Sequence, residues 1–164
     1  MKILGIDPGY GIVGFGIVES VSYGQFRTVD YGAITTDKSL SIAERISIVY
    51  ESICTLIDLH KPDVMAIEEL FFHTNTTTAI AVAEARGVIM LAGKHKSIDM
   101  YEYTPLQIKQ ALTGQGRADK AQVQFMVKNI LGLTSIPRPD DAADALAVAI
   151  CHSQTNNLIK DNKI

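Results

Sequence analysis

A chain of 164 residues, 47% hydrophobic and 20% charged, is long enough for one domain with a full core and too short for two large lobes. A net charge of −3 and a pI near 5.8 exclude a uniformly basic surface of the kind that grips nucleic acid by charge alone. No apolar stretch approaches the roughly 20 residues of a membrane span, and Met1-Lys2 leads into a strand pattern with no cleavage site. A cytoplasmic protein with no membrane partner is the expectation.

Ile3 to Asp7 is apolar on both faces, as a central buried strand requires. A glycine-rich turn, Gly9-Tyr10-Gly11, leads into a strand over Ile12 to Val18, and Phe26 to Thr35 makes a third. The gaps are too short for crossover helices, so these three form an antiparallel meander. Leu40 to His60 carries Ile42, Ile46, Val49, Ile53, Leu56 and Ile57 at helical spacing, with Ser41 as cap and Lys61-Pro62-Asp63 as stop. Val64 to Glu68 is a second buried strand. The next helix, Thr78 to Lys94, is capped by Asn75 or a nearby Thr, and its Ala79, Ala81, Ala83, Ala85 and Gly87 permit close approach to a sheet. Ser97 to Tyr103 is a short strand, and Pro105 to Leu112 and Ala118 to Leu131 are helices around Thr113-Gly114-Gln115-Gly116. Ile136-Pro137-Arg138-Pro139 is an extended linker to a last helix with Asp140 as its N-cap. The order βββαβαβααα gives one α/β domain over 1–155, a mixed five-stranded sheet with helices on both faces, and 156–164 is a polar, fraying tail. Cys54 and Cys151 fall inside helical patterns as buried thiols of a reducing compartment, and no Cys/His spacing suggests zinc.

Four acids stand at the ends of these apolar elements. Asp7 follows Ile3 to Ile6, Glu68 follows Val64 to Ile67, and Asp141 and Asp144 open the last helix. Strand ends and helix starts of such a sheet meet at one crevice, and carboxylates gathered there repel unless cations lie between them. Oxygen donors of this kind suit magnesium. The i, i+3 spacing puts Asp141 and Asp144 on one helix face, near the positive end of the helix dipole. Plainer readings exist: Asp7 as a turn initiator before Pro8-Gly9, Glu68 or Glu69 as a solvated strand end, Asp141 as a first-turn acid. Asp144, set among alanines, resists such a reading. Between Thr104 and Pro139 five basic residues face one acid, which offsets the acidic average. Gly9 to Gly14 also matches GxGxxG, with Asp30 near the ribose-binding distance. The residues that follow are strand-like where a dinucleotide site needs a helix, so the glycines read as hairpin punctuation.

With these residues assembled, the chain resembles the RuvC Holliday-junction resolvases of the ribonuclease H-like superfamily. The likeness runs from Ile3 to His152 through ILGIDPGYGIVGFG, PDVMAIEELFF, EARGV, QIKQALTGQGRADKAQVQFMV and DDAADALAVAI, in order and at compatible spacing. It implies a ribonuclease H-like fold with Asp7, Glu68, Asp141 and Asp144 as catalytic ligands of two Mg2+ ions, or of Mn2+ in their place. It selects Glu68 over Glu69 because the family's acid follows Ala-Ile, and Asp141 over Asp140 through Asp-Ala-Ala-Asp. It places Lys109 and Lys120 on phosphates near the scissile bond and Phe71 on an unpaired base, with Phe72 and the loop His73 to Thr77 beside it. Arg86 is a further DNA contact. Ala79 to Glu84 carries no positive charge where such resolvases often do, which implies a shallower salt dependence. The implied activity is endonucleolytic resolution of a four-way DNA junction in recombination and repair, leaving 5′-phosphate and 3′-hydroxyl ends. The implied partners are a second copy in a C2 homodimer and a RuvA–RuvB branch-migration complex. An actin-like ATP-binding module would need a second lobe, and a silent nucleic-acid binder would leave the four acids idle.

Overall fold

The computed structural model describes residues 1–164 apart from Tyr23, 71–75 and 156–161, and the side chains of 76 and 77. The strands are β1 (Lys2–Asp7), β2 (Ile12–Ser22), β3 (Gln25–Thr35), β4 (Val64–Glu68) and β5 (Asp99–Tyr103). The helices are α1 (Ile42–His60), α2 (Thr76–His95), α3 (Pro105–Thr113), α4 (Lys120–Ile130) and α5 (Asp140–Gln154). They form one five-stranded sheet in the order β3-β2-β1-β4-β5, antiparallel over the first three and parallel from β1 to β5. The expected meander is present, and β1 is the central strand.

Several boundaries depart from the sequence reading, each for a local reason. β2 runs past Val18 to Ser22 because its polar end pairs with β3 across two irregularities in register. In α1, Ser41 and Glu44 close a capping box, and Lys61 ends the helix at φ 47°. β5 begins at Asp99, since Ser97 adopts φ 55° and turns the chain first. Asp119 caps α4, so Ala118 and Asp119 lie outside that helix. The N-cap of α5 is Pro139 and not Asp140; Asp140 occupies the first helical turn and pairs with Arg138. The expected cap at Asn75 lies outside the described residues. Of the tail expected to fray, 156–161 lie outside the described residues; beyond them Lys163 bridges Tyr101, and its ammonium lies 2.9 Å from Asp99 Oδ1.

Side-chain alternation divides the core in two. Leu4, Ile6, Met65 and Ile67 face α1 and α2, meeting Val49, Ile53 and Ile89. Ile3 and Ala66 face the other way, toward α3, α4 and the buried α5. At three glycines the α5 helix approaches so closely that no side chain fits beneath it. A Cβ at Gly5 would stand 2.1 Å from the Ala145 carbonyl oxygen, and one at Gly14 would stand 2.0 Å from that of Asp141. At Gly16 it would meet Leu146 at 2.8 Å. Gly14 and Gly16 are therefore the floor on which α5 rests, a role the hairpin reading missed. Cys151 is buried, Cys54 partly so, and both are free thiols.

Overpacking at this floor should cost stability. Gly5→Ala is expected to lower unfolding free energy by at least about 1–3 kcal/mol in urea denaturation. Gly87→Ala, inside α2 with nothing within 4 Å of the added methyl, should instead leave stability unchanged or raise it by about 0.5–1 kcal/mol.

Candidate active site

The same alternation decides where the acids point. Asp7 shares its face with Ile3 and Gly5, and Glu68 shares its face with Val64 and Ala66, so both project toward α5. Adjacent parallel strands bring the two together, with Ile6 beside Ile67 in the ladder. Glu69 has the opposite parity, and its N–H donates to the Tyr103 carbonyl at 2.8 Å, extending the pairing with β5. The first turns of α5 sit over this strand end, with the Asp141 backbone against Gly14. Asp7, Glu68 and Asp144 line a crevice of about 450 Å³, and Lys109 from α3 and Lys120 from α4 line its far wall. Asp141 lies outside that wall but close enough to act on Asp7. Among the described residues, a larger hollow of about 860 Å³ between the β2–β3 hairpin, α3 and the end of α5 is lined by no charged side chain.

Crowded negative charge shows in the acid strengths. Burial, followed by Glu68, Asp144 and Asp141, pushes the Asp7 carboxyl up to about 8, with only Lys120 opposing. Glu68 is pushed up to about 7 by burial and by Asp144, against Lys120 and Lys109. Burial also raises Asp144, although the Lys120 ammonium stands 2.8 Å from its Oδ2. Lys120 itself is held above its ordinary value: burial opposes its charge, but the hydrogen bond to Asp144 and the surrounding acids outweigh it.

The donor set fits a hard divalent cation: every ligand is an oxygen, and the negative charge exceeds what the lysines neutralise. The side chains are not closed around a point, however. Among the described residues no group of three acids, histidines or cysteines is arranged to hold an ion. Asp144 is engaged with Lys120 instead.

The family model for crossover junction endodeoxyribonuclease RuvC matches residues 3–152. The chain is 52% identical to the RuvC of Caldicellulosiruptor saccharolyticus, with 100% of both chains covered. It is 54% identical to that of Clostridioides difficile over 99% of this chain and 96% of the other. The solved structure of Thermus thermophilus RuvC in complex with a Holliday junction substrate superposes with a TM-score of 0.94, at 32% identity, over 100% of this chain and 99% of that one. The chain belongs to the RuvC family.

As a RuvC-family protein it has the ribonuclease H-like mixed sheet that the resemblance implied, with helices on both faces. Among the described residues no helix is long and apolar enough to cross a membrane. The structure brings Asp7, Glu68, Asp144, Lys109 and Lys120 into one crevice, with Asp141 adjoining. Arg86 stands apart: it is half-buried and paired with Glu102, with its Nε buried and unpartnered, so its charge is already engaged. Phe71, Phe72 and His73 lie outside the described residues.

Two supporting residues escaped the sequence reading. Arg45 is 4% exposed, stacks 3.8 Å over the Tyr10 ring and donates from Nε to Thr36 Oγ1 at 2.8 Å. It thereby clamps the turn that follows Asp7, yet an arginine in the first turn of an amphipathic helix reads as solvated. His152 Nδ1 and the Tyr103 hydroxyl, both buried, lie 2.8 Å apart and tie α5 to the end of β5. Burial lowers His152 to about 4, so this ring stays neutral near pH 7. Its signal was only a polar residue closing an apolar helix.

The raised acids make stability depend on pH. Folded Asp7 and Glu68 bind protons more tightly than the unfolded chain does, so their contribution is complete below about pH 4 and is lost as pH rises through 7 and 8. The melting temperature of the cation-free protein should fall between pH 5 and 8, and Asp7→Asn should flatten that fall. Calorimetry across this range checks the expectation.

Proposed function

We propose that Asp7, Glu68, Asp141 and Asp144 hold a pair of Mg2+ ions with which the chain cuts phosphodiester bonds of a four-way DNA junction. Membership of its family makes the chain a crossover junction endodeoxyribonuclease. What supports the residue assignment is one observation: acids from β1, β4 and α5 share a crevice with two lysines and carry more negative charge than those lysines offset. When bound, such cations supply a Lewis acid for the phosphodiester and the counter-charge that lets the acids ionise. Mn2+, with the same preference for oxygen, is an alternative ion.

The chain's own groups divide the remaining work. Asp7, short and fixed on the central strand, sets the position of the site. Glu68, one methylene longer, reaches inward from the neighbouring strand. Lys109 and Lys120 face the phosphate and oppose the charge that grows on its oxygens during displacement. Attack in line by water gives 5′-phosphate and 3′-hydroxyl ends that a ligase can rejoin. Phe71, and Phe72 beside it, would stack on bases at the junction centre, a contact worth roughly 1–3 kcal/mol per base. Paired cuts need two sites, so the working unit is a C2 homodimer. The solvent face of α2 is open to that contact, with Ile80 and Leu91 73% and 46% exposed on a stripe that also carries the exposed Glu84 and the open Gly87. The setting is cytoplasmic recombination and repair, with a RuvA–RuvB complex delivering the junction.

A synthetic four-way junction and a linear duplex of equal length, incubated with Mg2+ and then Ca2+, test this reading. Cleavage should be confined to the junction and to Mg2+. Asp7→Asn should lower it by at least on the order of 10²–10³-fold while junction binding persists. In the same buffer the protein should sediment as a dimer, and Leu91→Glu as a monomer. Cleavage that survives in Asp7→Asn would contradict the ligand assignment.

A further inference from the structure

We propose that Lys120 is a built-in counter-ion that keeps Asp144 from binding metal until a DNA phosphate draws its ammonium away. This inference rests on the reading of the acids as cation ligands. Lys120 Nζ lies 2.8 Å from Asp144 Oδ2 and 3.8 Å from Asp140 Oδ2. Arg138 already engages Asp140 through its other oxygen, which leaves Asp144 as the partner that Lys120 serves. The base of the lysine is fixed. It is the first residue of α4, behind a capping box in which Asp119 and Gln122 exchange hydrogen bonds of 2.8 Å each. Its side chain is 56% exposed, against 23% for that of Asp144, so a solvent-reached cation stands in front of a sheltered acid. Lys109 borders the same crevice and makes no ion pair among the described residues. The two lysines therefore have different duties.

One ammonium cannot fully serve both Asp144 and a phosphate, and it repels a divalent cation placed between Asp144, Asp7 and Glu68. A phosphate entering the crevice offers Lys120 a replacement partner and releases Asp144. Metal and junction then favour each other's binding, and by linkage the coupling is the same in both directions. The free protein then binds metal more weakly than the DNA-bound protein does.

Calorimetric titration of DNA-free protein with Mn2+ tests the proposal. Lys120→Met should bind Mn2+ at least about fivefold more tightly than wild type. Lys109→Met should change the affinity by less than about twofold, and Lys120→Arg, which keeps the charge, should stay close to wild type. Junction affinity measured in EDTA and in Ca2+ should rise on adding Ca2+ by a larger factor in wild type than in Lys120→Met. Equal tightening in Lys120→Met and Lys109→Met would show a diffuse field effect and overturn the latch, as would an unchanged affinity in Lys120→Met. If neither wild type nor either lysine variant binds Mn2+, while Asp144→Asn is equally inert, the ligand reading itself fails along with the latch.

Discussion

Like charges brought together in a half-buried place repel, and that repulsion organises this molecule's chemistry. Asp7, Glu68 and Asp144 gain nothing for stability by sharing a crevice with Asp141 nearby; burial and mutual Coulomb energy hold protons on Asp7 and Glu68 up to about 8 and 7. A fold tolerates such an arrangement only if the rest of the structure over-determines it. Here the fixing elements are rigid ones: the central strand, its parallel neighbour and a helix whose other residues are almost all buried. The strain is then available to a divalent cation, which relieves it by supplying charge.

The support for this crowding is backbone packing with almost no intervening side chains. Three glycines on β1 and β2 let α5 lie directly on the sheet, which carries Asp141 and Asp144 to the strand end where Asp7 emerges. A larger residue at any of the three would run into α5, so the helix or the sheet would have to shift to admit it. Behind this contact, the Tyr103–His152 hydrogen bond and the Arg45 clamp on Tyr10 hold the other end of α5 and the turn after Asp7. Stability and activity thus draw on the same few contacts.

Much of this was legible in the sequence because apolar runs ending in an acid carry both a strand and its direction. Alternation along β1 and β4 fixes the face to which Asp7 and Glu68 belong, and the helical spacing of Asp141 and Asp144 fixes theirs. What the sequence hid was relational. Glycine in a β-branched run reads as a turn until the helix above Gly14 and Gly16 is known. Lys120 is placed on DNA phosphates by the resemblance, but its pairing with Asp144 emerges only from the packing of α4 beside α5, and Arg45 reads as solvated until Tyr10 is found beneath it. Asp140 followed the usual preference of acids for helix caps, but Pro139 occupies that position and Arg138 engages the acid.

Anomalous diffraction from crystals soaked in Mn2+ bears most directly on the idea that these acids exist to hold cations. The peaks should fall within the crevice, bounded by oxygens of Asp7, Glu68 and the α5 acids, with the Lys120 ammonium displaced from Asp144. Density for Mn2+ only at other surface carboxylates, with the Lys120–Asp144 pair intact at saturating ion, would contradict it.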